Sequence, residues 1–189
     1  MSRLIASMVL TGNSERIKSL TGLAEMRKAW QAAGRDVKDL YATAFGGGCV
    51  LADGESADSP RAIAQAGPAA AVVFHDLAEA GEYGSLGLPL PPQFKTQADR
   101  YRQIYSGYVP PDARYLSNHR GHLMFLRPEE REIISGDAVR ALTFTGTRAD
   151  LASSLRALQA AGFSQVGFHI RHGHEMTMLE DWAEVFAKV

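Results

Sequence analysis

Three short apolar runs, separated by stretches of helical periodicity, predict an α/β fold with parallel strands. Residues 4–10 (LIASMVL) are apolar without polar alternation and end at turn residues, as expected of a strand buried on both faces. Residues 40–51 and 165–170 form two further extended runs. The second run contains three consecutive glycines that begin at Gly46, where we expect a bend or a bulge. The order and spacing of the first two runs suit a right-handed parallel crossover.

Two helices are predicted in the first half of the chain. Ser14 is a suitable N-terminal cap for a helix that runs to about residue 33, and Gly34 supplies its C-terminal stop. Residues 56–60 offer a second helix start, and the alanine-rich residues 61–80 predict a long buried helix. The apolar stripe of the first helix is formed by Ile17, Leu20, Ala24 and Trp30.

The last strand–helix unit has the clearest boundaries. Thr147 and Asp150 stand three residues apart in a capping-box pattern, with Asp in place of the usual Glu or Gln. Gly162 ends the helix that follows, and the strand at residues 165–170 leads through a short loop into a final amphipathic helix. The apolar positions of that final helix are Met178, Leu179, Trp182, Val185 and Phe186.

A long helical insertion is predicted between the second and third strands. Residues 81–92 (GEYGSLGLPLPP) are rich in Gly, Pro and Leu and form the clearest loop of the chain. We expect no strand between Leu51 and Phe144, which is unusual inside a regular strand–helix repeat. Helical segments are predicted over residues 93–105, 111–126 and 128–134.

Composition and charge place the chain among ordinary globular proteins. Its 189 residues suit one domain with a sizeable core, and a composition of 46% hydrophobic and 22% charged residues excludes a disordered chain. With 20 basic against 21 acidic residues, the chain lacks the basic excess that binding to nucleic acids or anionic membranes requires. The single cysteine, Cys49, cannot form an internal disulfide. No apolar run approaches the roughly 20 residues of a membrane helix and no signal-peptide pattern opens the chain, so we expect a cytoplasmic protein.

Four segments of the sequence resemble parts of the bacterial luciferase-like, flavin-dependent oxidoreductases. The unit TFTGTRADLASSLRALQAAGFSQVGFHI is similar to that family's closing helix and last barrel strand, with a Gly-Thr that opens the helix. The segment HRGHLMFLRPEEREIISGDAVRAL is similar to the helical insertion that precedes this unit. Upstream, AGRDVKDLYATAF resembles the family's helix-to-strand join, and FHDLAEAGEYGSLG resembles its next helix and loop. Taken in order, the four segments extend the resemblance over nearly the whole chain.

This resemblance implies a single domain over residues 1–189 that forms part of a TIM-type (β/α)8 barrel, with three parallel strands and a long helical insertion. The strands at residues 4–10, 40–51 and 165–170 would be the sixth, seventh and eighth of that barrel. A complete barrel takes about 250 residues, so we expect the first five strands to be absent. Three parallel strands cannot close a barrel, which implies a homo-oligomer or a second chain that supplies the N-terminal half-barrel.

The activity implied by the resemblance is that of a flavin- or deazaflavin-dependent oxidoreductase or monooxygenase. The cofactor would be FMN or a deazaflavin, acting on a small-molecule substrate, while the protein supplies position and electrostatics. The alternative is a non-catalytic half-barrel that serves as a subunit or an interaction module. No residue is identified as a catalytic acid, base or nucleophile.

Five residues at strand ends are candidate contacts to the cofactor, because loops at the carboxyl ends of parallel strands face the ligand site. Met8, Thr11 and Asn13 lie at the end of the first strand, and Thr11 or Asn13 could donate hydrogen bonds to the flavin ring. His169 and His172 lie at the end of the last strand. The alternative for all five is an ordinary strand end or a solvated loop.

Two groups of histidines raise the question of a metal site. His169, His172 and His174 crowd one loop, but their spacing matches no zinc pattern and the family resemblance implies no metal. His119 and His122 lie three residues apart on a predicted helix, hence on one face. Zinc would need two further ligands there, and the sequence indicates none. We therefore predict no metal ion and favour a structural role for His119 and His122.

The three glycines and the neighbouring cysteine are not expected to carry chemistry. A phosphate-binding loop places its glycines before a helix N-terminus, whereas here Cys49, Val50 and Leu51 continue the strand pattern. A bulge, or a place where another group approaches the backbone, accounts for the glycines. Cys49 has no activating partner nearby and is predicted to be a small buried residue.

Overall fold

Five short strands and eight α-helices occur in residues 6–9, 21–80 and 90–189, the parts of the chain that this computed structural model describes. The strands are β1 (Ala6–Val9), β2 (Ala42–Gly46), β3 (Val50–Leu51), β4 (Gly146–Thr147) and β5 (Gln165–Phe168). The helices are α1 (Thr21–Ala32), α2 (Pro60–Ala80), α3 (Lys95–Ser106), α4 (Arg114–Asn118), α5 (Pro128–Arg131), α6 (Gly136–Leu142), α7 (Arg148–Ala161) and α8 (Glu175–Phe186). Short 3-10 helices lie at Val37–Asp39, Pro92–Phe94 and Pro111–Ala113.

The main sheet is parallel and has the strand order β1-β2-β5. Met8 of β1 pairs with Ala44 of β2, and Ala44 pairs in turn with Val166 of β5. The prediction of an α/β fold with three parallel strands in one sheet is confirmed for the described residues. Because the three strands run the same way, their carboxyl ends meet at one edge of the sheet.

The second predicted strand, residues 40–51, is not continuous, and that prediction is wrong. β2 ends at Gly46, and β3 pairs with β4 in a separate two-stranded parallel sheet. The bend predicted at the glycines is confirmed, and its cause is a close approach of backbone. A Cβ on Gly48 would lie 1.8 Å from the carbonyl oxygen of Phe144, whose own N–H donates to the Gly47 carbonyl at 3.0 Å. The two-residue strand β4 is too short for hydrophobic periodicity to reveal.

Three of the predicted helices are confirmed by the structure. α2, α3 and α8 match the helices expected over residues 61–80 and 93–105 and at the end of the chain. At the start of α7, the Thr147 hydroxyl accepts from the Asp150 N–H at 3.3 Å, and the Asp150 carboxylate accepts from the Thr147 N–H at 3.2 Å. The capping box is therefore present. The predicted cap Ser14 and most of the loop at residues 81–92 lie outside the described residues.

The helix predicted over residues 111–126 is wrong beyond α4. The chain turns after Asn118, because Gly121 and Leu123 adopt left-handed backbone conformations with φ of 79° and 60°. His119 and His122 consequently lie in consecutive turns and not on one helix face. The segment at residues 128–134 is helical only over α5. Helix α6 was not predicted. Its N-terminal cap is Ser135, whose hydroxyl accepts from the Ala138 N–H at 3.3 Å.

Two hydrophobic clusters pack on opposite sides of β3. Val50 belongs to the cluster formed by the main sheet with α1, α7 and α8. Its neighbour Leu51 belongs to the cluster formed by α2, α3 and α6. Successive side chains of a strand point to opposite faces, so this short strand contributes to both cores. None of the helices in the described residues combines the length and the apolar character needed to cross a bilayer.

Candidate functional site

The carboxyl ends of β2 and β5 bring the glycine bend next to the loop that follows β5. The backbone N–H of His169 donates to the Gly46 carbonyl at 3.0 Å, which extends the ladder by one bond. A Cβ on Gly47 would lie 3.1 Å from the Arg171 guanidinium and 3.0 Å from the Ala69 methyl carbon. The absence of a side chain at Gly47 therefore makes room for the buried side chain of Arg171.

Arg171 is the most unusual charged group at this edge, because it is only 3% exposed and has no carboxylate partner among the described residues. Its Nε donates to the Gln65 carbonyl at 2.9 Å, and its Nη1 donates to the Leu123 carbonyl. Its Nη2 is buried and has no hydrogen-bond partner in the part of the chain that the structure describes. Burial lowers the pKa of Arg171 to about 10, so the side chain still carries its charge at neutral pH. This edge of the sheet thus holds the buried, positively charged side chain of Arg171, whose Nη2 is a hydrogen-bond donor without an acceptor among the described residues.

The two histidines predicted as cofactor contacts behave differently. His169 lies at the sheet edge, where burial, followed by the positive charge of Arg171, lowers its pKa. The His172 side chain is 88% exposed and its Nδ1 lies 3.0 Å from Glu175 Oε1. His169 therefore shares the environment of Arg171, while His172 points to solvent and pairs with Glu175 across its own loop.

The three predicted contacts at the first strand are only partly described. Met8 lies in β1, at the register position of Ala44. Its side chain lies outside the described residues, as do Thr11 and Asn13 as a whole. Their roles as cofactor contacts stay predictions.

A cluster of three histidines, which sequence reasoning did not assemble, lies between α2 and the turns after α4. His75 comes from α2, His119 follows the last residue of α4, and His122 lies three residues further on. The Nδ1 atom of His122 is 3.4 Å from Nδ1 of His75 and 3.0 Å from Nδ1 of His119. One ring nitrogen from each residue lies within 4.8 Å of the others. The third histidine is the partner that the sequence did not indicate for His119 and His122.

Carboxylates hold the far sides of two of these rings. His75 Nε2 lies 2.6 Å from Glu130 Oε1, and His119 Nε2 lies 2.9 Å from Glu79 Oε1. An ionised carboxylate can only accept, so both Nε2 atoms carry their proton toward the carboxylate. In the neutral tautomer this leaves the Nδ1 lone pairs of His75 and His119 directed at His122.

Glu130 anchors a buried polar network behind the cluster. Its Oε1 accepts from Arg127 Nη2 at 2.5 Å, and its Oε2 accepts from the Arg127 backbone N–H at 2.8 Å. The Tyr101 hydroxyl accepts from Arg127 Nη2 at 2.6 Å and donates to Asn118 Oδ1 at 2.7 Å. Burial opposes ionisation of Glu130, but the hydrogen bonds from His75 and Arg127 prevail and lower its pKa to about 2. The network keeps Glu130 ionised and positions His75.

The cluster lies close to the sheet edge. Burial lowers the pKa of His122, and the proximity of His75 and His119 lowers it further, with a smaller contribution from His169. His169 follows β5, so the histidine cluster and the carboxyl edge of the sheet share one electrostatic environment. This is the end of a parallel sheet at which α/β proteins hold their ligands.

One sequence signal could have pointed to the cluster. His75 and Glu79 are four residues apart on α2 and so lie on the same helix face. Together with the His-x-x-His pattern at His119 and His122, this offers three imidazoles and a carboxylate. The two motifs meet only through the packing of the insertion on α2.

Cys49 takes no part in either group. The residue is fully buried, and burial raises the pKa of its thiol to about 12. A thiol with this pKa is protonated at neutral pH and is a poor nucleophile. The prediction of a small buried residue is confirmed.

Comparison with known proteins gives distant likenesses, all of them to solved structures. No protein-family model and no curated protein matches the chain. The solved structure of coenzyme F420-dependent tetrahydromethanopterin reductase from Methanopyrus kandleri is similar over 93% of this chain, with 10% sequence identity and a TM-score of 0.44. The aligned region covers 42% of that reductase, so the chain spans less than half of its length. At this level of likeness the chain is assigned to no family.

Proposed function

We propose that the chain is part of a luciferase-like oxidoreductase or monooxygenase that binds FMN or a deazaflavin at the carboxyl ends of β1, β2 and β5. The observation that carries the proposal is the orphaned Nη2 of Arg171 at this edge. Buried polar groups in proteins are nearly always hydrogen-bonded, so such a donor favours an oxygen acceptor supplied from outside the fold. Flavin-type cofactors offer both phosphate and ring carbonyl oxygens.

The surroundings of Arg171 fit such a group. The bonds to the Gln65 and Leu123 carbonyls fix the guanidinium plane and leave Nη2 beside Gly47, where β2 ends. No carboxylate among the described residues competes for it, so the positive charge is free to attract an anion. The resemblance of the sequence to luciferase-like oxidoreductases supplies the class of cofactor.

The residues of this chain would bind and orient the cofactor. When bound, a flavin or deazaflavin supplies hydride or oxygen chemistry for a small-molecule substrate. Arg171 would donate to an anionic or carbonyl oxygen, with its position set before binding. His169, whose pKa is lowered by burial and by the charge of Arg171, would offer a hydrogen bond beside it. Met8, Thr11 and Asn13 would contact the ring from the end of β1.

Titration of the purified chain with FMN and, separately, with a deazaflavin tests this proposal. Fluorescence should show saturable binding of one of them, and Arg171→Gln should weaken it at least tenfold. Arg156→Gln is the matched control, because Arg156 is an exposed arginine that also donates to a backbone carbonyl, that of Lys188. Equal affinity of the wild type and Arg171→Gln, or no binding by a folded wild type, would contradict the proposal.

A second candidate is a half-barrel module that another chain completes, and the exposed Phe45 near the end of β2 favours it. Ala42 and Ala44 are fully buried against the helices, whereas Phe45 on the opposite face is 38% exposed. Parallel sheets are normally covered on both faces. We infer that further strands, from a second copy or a complementary half-barrel, cover Phe45.

Light scattering over a range of concentrations tests this second candidate. The wild type should form a defined assembly, alone or with a complementary chain. Phe45→Lys should shift that assembly toward the monomer while the chain stays folded, as circular dichroism would show. A wild type that stays monomeric and still binds the cofactor would rule out completion by another chain.

A further inference from the structure

We propose that His75, His119 and His122 form a binding site for a divalent transition metal, with Zn²⁺ as the preferred ion. The site goes beyond the proposed cofactor site, since none of its three ligands is a residue assigned to flavin binding. Neutral imidazole is a ligand that suits Zn²⁺ and its neighbours in the first transition series. Three arguments support the assignment, from distance, from tautomer and from preorganisation.

The distances between ring nitrogens suit a tetrahedral ion. Zinc binds imidazole nitrogen at about 2.0 to 2.1 Å, so two ligand nitrogens at the tetrahedral angle lie about 3.3 Å apart. The two Nδ1 separations from His122 are 3.4 Å to His75 and 3.0 Å to His119. Both are close to this value without any movement of the backbone.

The hydrogen bonds on the far sides of the rings favour a metal at the centre. Metal-binding histidines typically donate their second N–H to a carboxylate, which fixes the tautomer and raises the basicity of the ligand nitrogen. His75 has this relation to Glu130 and His119 has it to Glu79. Without a metal, His122 has at most one proton on Nδ1. That proton can form a good hydrogen bond to Nδ1 of either His75 or His119, but not to both. A cation satisfies all three nitrogens together.

The site is preorganised by bonds to the turn and to its carboxylates. Arg127 donates to the Ser117 carbonyl, and Asn118 Nδ2 donates to Glu79 Oε1 at 2.6 Å. The backbone just before His119 and the carboxylate behind it are thereby held together. Arg171 holds the carbonyl of Leu123, directly after His122.

The fourth coordination position would face solvent. His75 is buried, but the His119 side chain is 41% exposed, so the cluster opens on that side. Three histidines with an open fourth position are the ligand arrangement of zinc sites that hold a water molecule. We therefore assign water, and not a fourth protein ligand, to this position.

Metal titration of the full chain tests the site directly. The chain is stripped with a chelator and titrated with Zn²⁺ by calorimetry and with Co²⁺ by visible absorption. We expect one ion per chain and the intense absorption of four-coordinate Co²⁺, displaced by added Zn²⁺. Failure of the folded wild type to bind either ion would overturn the proposal.

Variants distinguish this cluster from adventitious binding by surface histidines. His122→Ala and His119→Ala should each abolish stoichiometric binding, and the exposure of His119 makes its variant the less disturbing to the fold. Glu79→Gln should weaken binding roughly 10- to 100-fold. His172→Ala should bind like the wild type, because His172 has a carboxylate partner at 3.0 Å but no converging histidines.

Thermal unfolding of the stripped variants checks that they remain folded. Added Zn²⁺ should raise the Tm of the wild type and of His172→Ala, but not that of His119→Ala or His122→Ala. Wild-type affinity in folded His119→Ala and folded His122→Ala would assign the cluster to packing alone and overturn the proposal.

Discussion

The guanidinium of Arg171 donates a hydrogen bond to the main-chain carbonyl of Leu123, a residue held at a φ of 60°. This bond joins the loop after β5 to the turn that carries His122. A non-glycine residue seldom adopts a left-handed conformation unless its surroundings hold it there. Arg171 therefore connects the two candidate sites, since one end of its guanidinium orients the histidine turn and the other lies at the sheet edge.

Replacement of Arg171 by Met should destabilise the protein by about 2 to 4 kcal/mol. Two charge-assisted hydrogen bonds, each worth roughly 1.5 to 3 kcal/mol, are lost, and removal of a buried cation offsets part of that loss. Urea unfolding measures the change, and hydrogen exchange should show faster opening of residues 119–125. Arg156→Gln, at an exposed arginine, should change stability by less than about 0.5 kcal/mol. A similar small change for Arg171→Met would show that the bond to Leu123 contributes little.

Gly48→Ala should be strongly destabilising, by about 3 kcal/mol or more, because overpacking against rigid backbone cannot be relieved by a side-chain rotation. The new methyl group would lie 1.8 Å from the Phe144 carbonyl oxygen. Gly107→Ala is the matched control, because its Cβ would meet only ordinary contacts at 3.4 Å and beyond. Thermal unfolding of both variants measures the difference. Equal melting temperatures would mean that β2 and the chain before β4 can move apart at no cost.

The main sheet and its helices could be predicted because local patterns determine them. An apolar run without alternation marks β1, a short extended run after the helix stop at Gly162 marks β5, and the capping box at Thr147 marks the start of α7. The break between β2 and β3 could not be predicted as two sheets. Its cause is the approach of Phe144, which lies far along the chain from Gly48.

The candidate sites could be predicted only in part, because some of their residues meet only through contacts between distant parts of the chain. His169 was placed at the sheet edge by its position after β5, a local feature. The meeting of His75 with His122 spans 47 residues and depends on how the insertion packs on α2. The turn over residues 119–124 was missed although Gly121 marks it, because the left-handed conformation of Leu123 is accompanied by a contact with Arg171, far along the chain.

Glu55 should make stability depend on pH in the acid range. Its carboxylate accepts from Arg61 Nε at 3.0 Å and from the Ser59 hydroxyl at 2.6 Å. The hydrogen bond from Arg61 outweighs burial and lowers the pKa of Glu55 to about 2. A carboxyl group with a lowered folded-state pKa stabilises the fold fully above its unfolded pKa, and this contribution is lost as the pH falls toward 2.

The comparison that isolates this effect is between the wild type and Glu55→Gln. The difference in their unfolding free energies should be largest at about pH 6 and should shrink steadily as the pH approaches 3. Other carboxylates titrate equally in both proteins and cancel. Glu25→Gln serves as the control, because Glu25 is exposed and its ion-pair partner among the described residues is the exposed Lys28. A difference that stays constant between these pH values would contradict the assigned pKa.

Glu130→Gln should cost about 3 to 5 kcal/mol, the range seen when one partner of a buried ion pair is removed. Arg127 would then remain as a buried cation without its carboxylate, and His75 would lose the acceptor that orients it. Glu129→Gln is the matched control, because Glu129 is the adjacent residue, is partly exposed, and lies 3.7 Å from the same arginine. Its loss should cost no more than about 1 kcal/mol. Urea unfolding of both variants in metal-free buffer measures the contrast, and a cost for Glu130→Gln as small as that of Glu129→Gln would show that the buried network contributes no net stability.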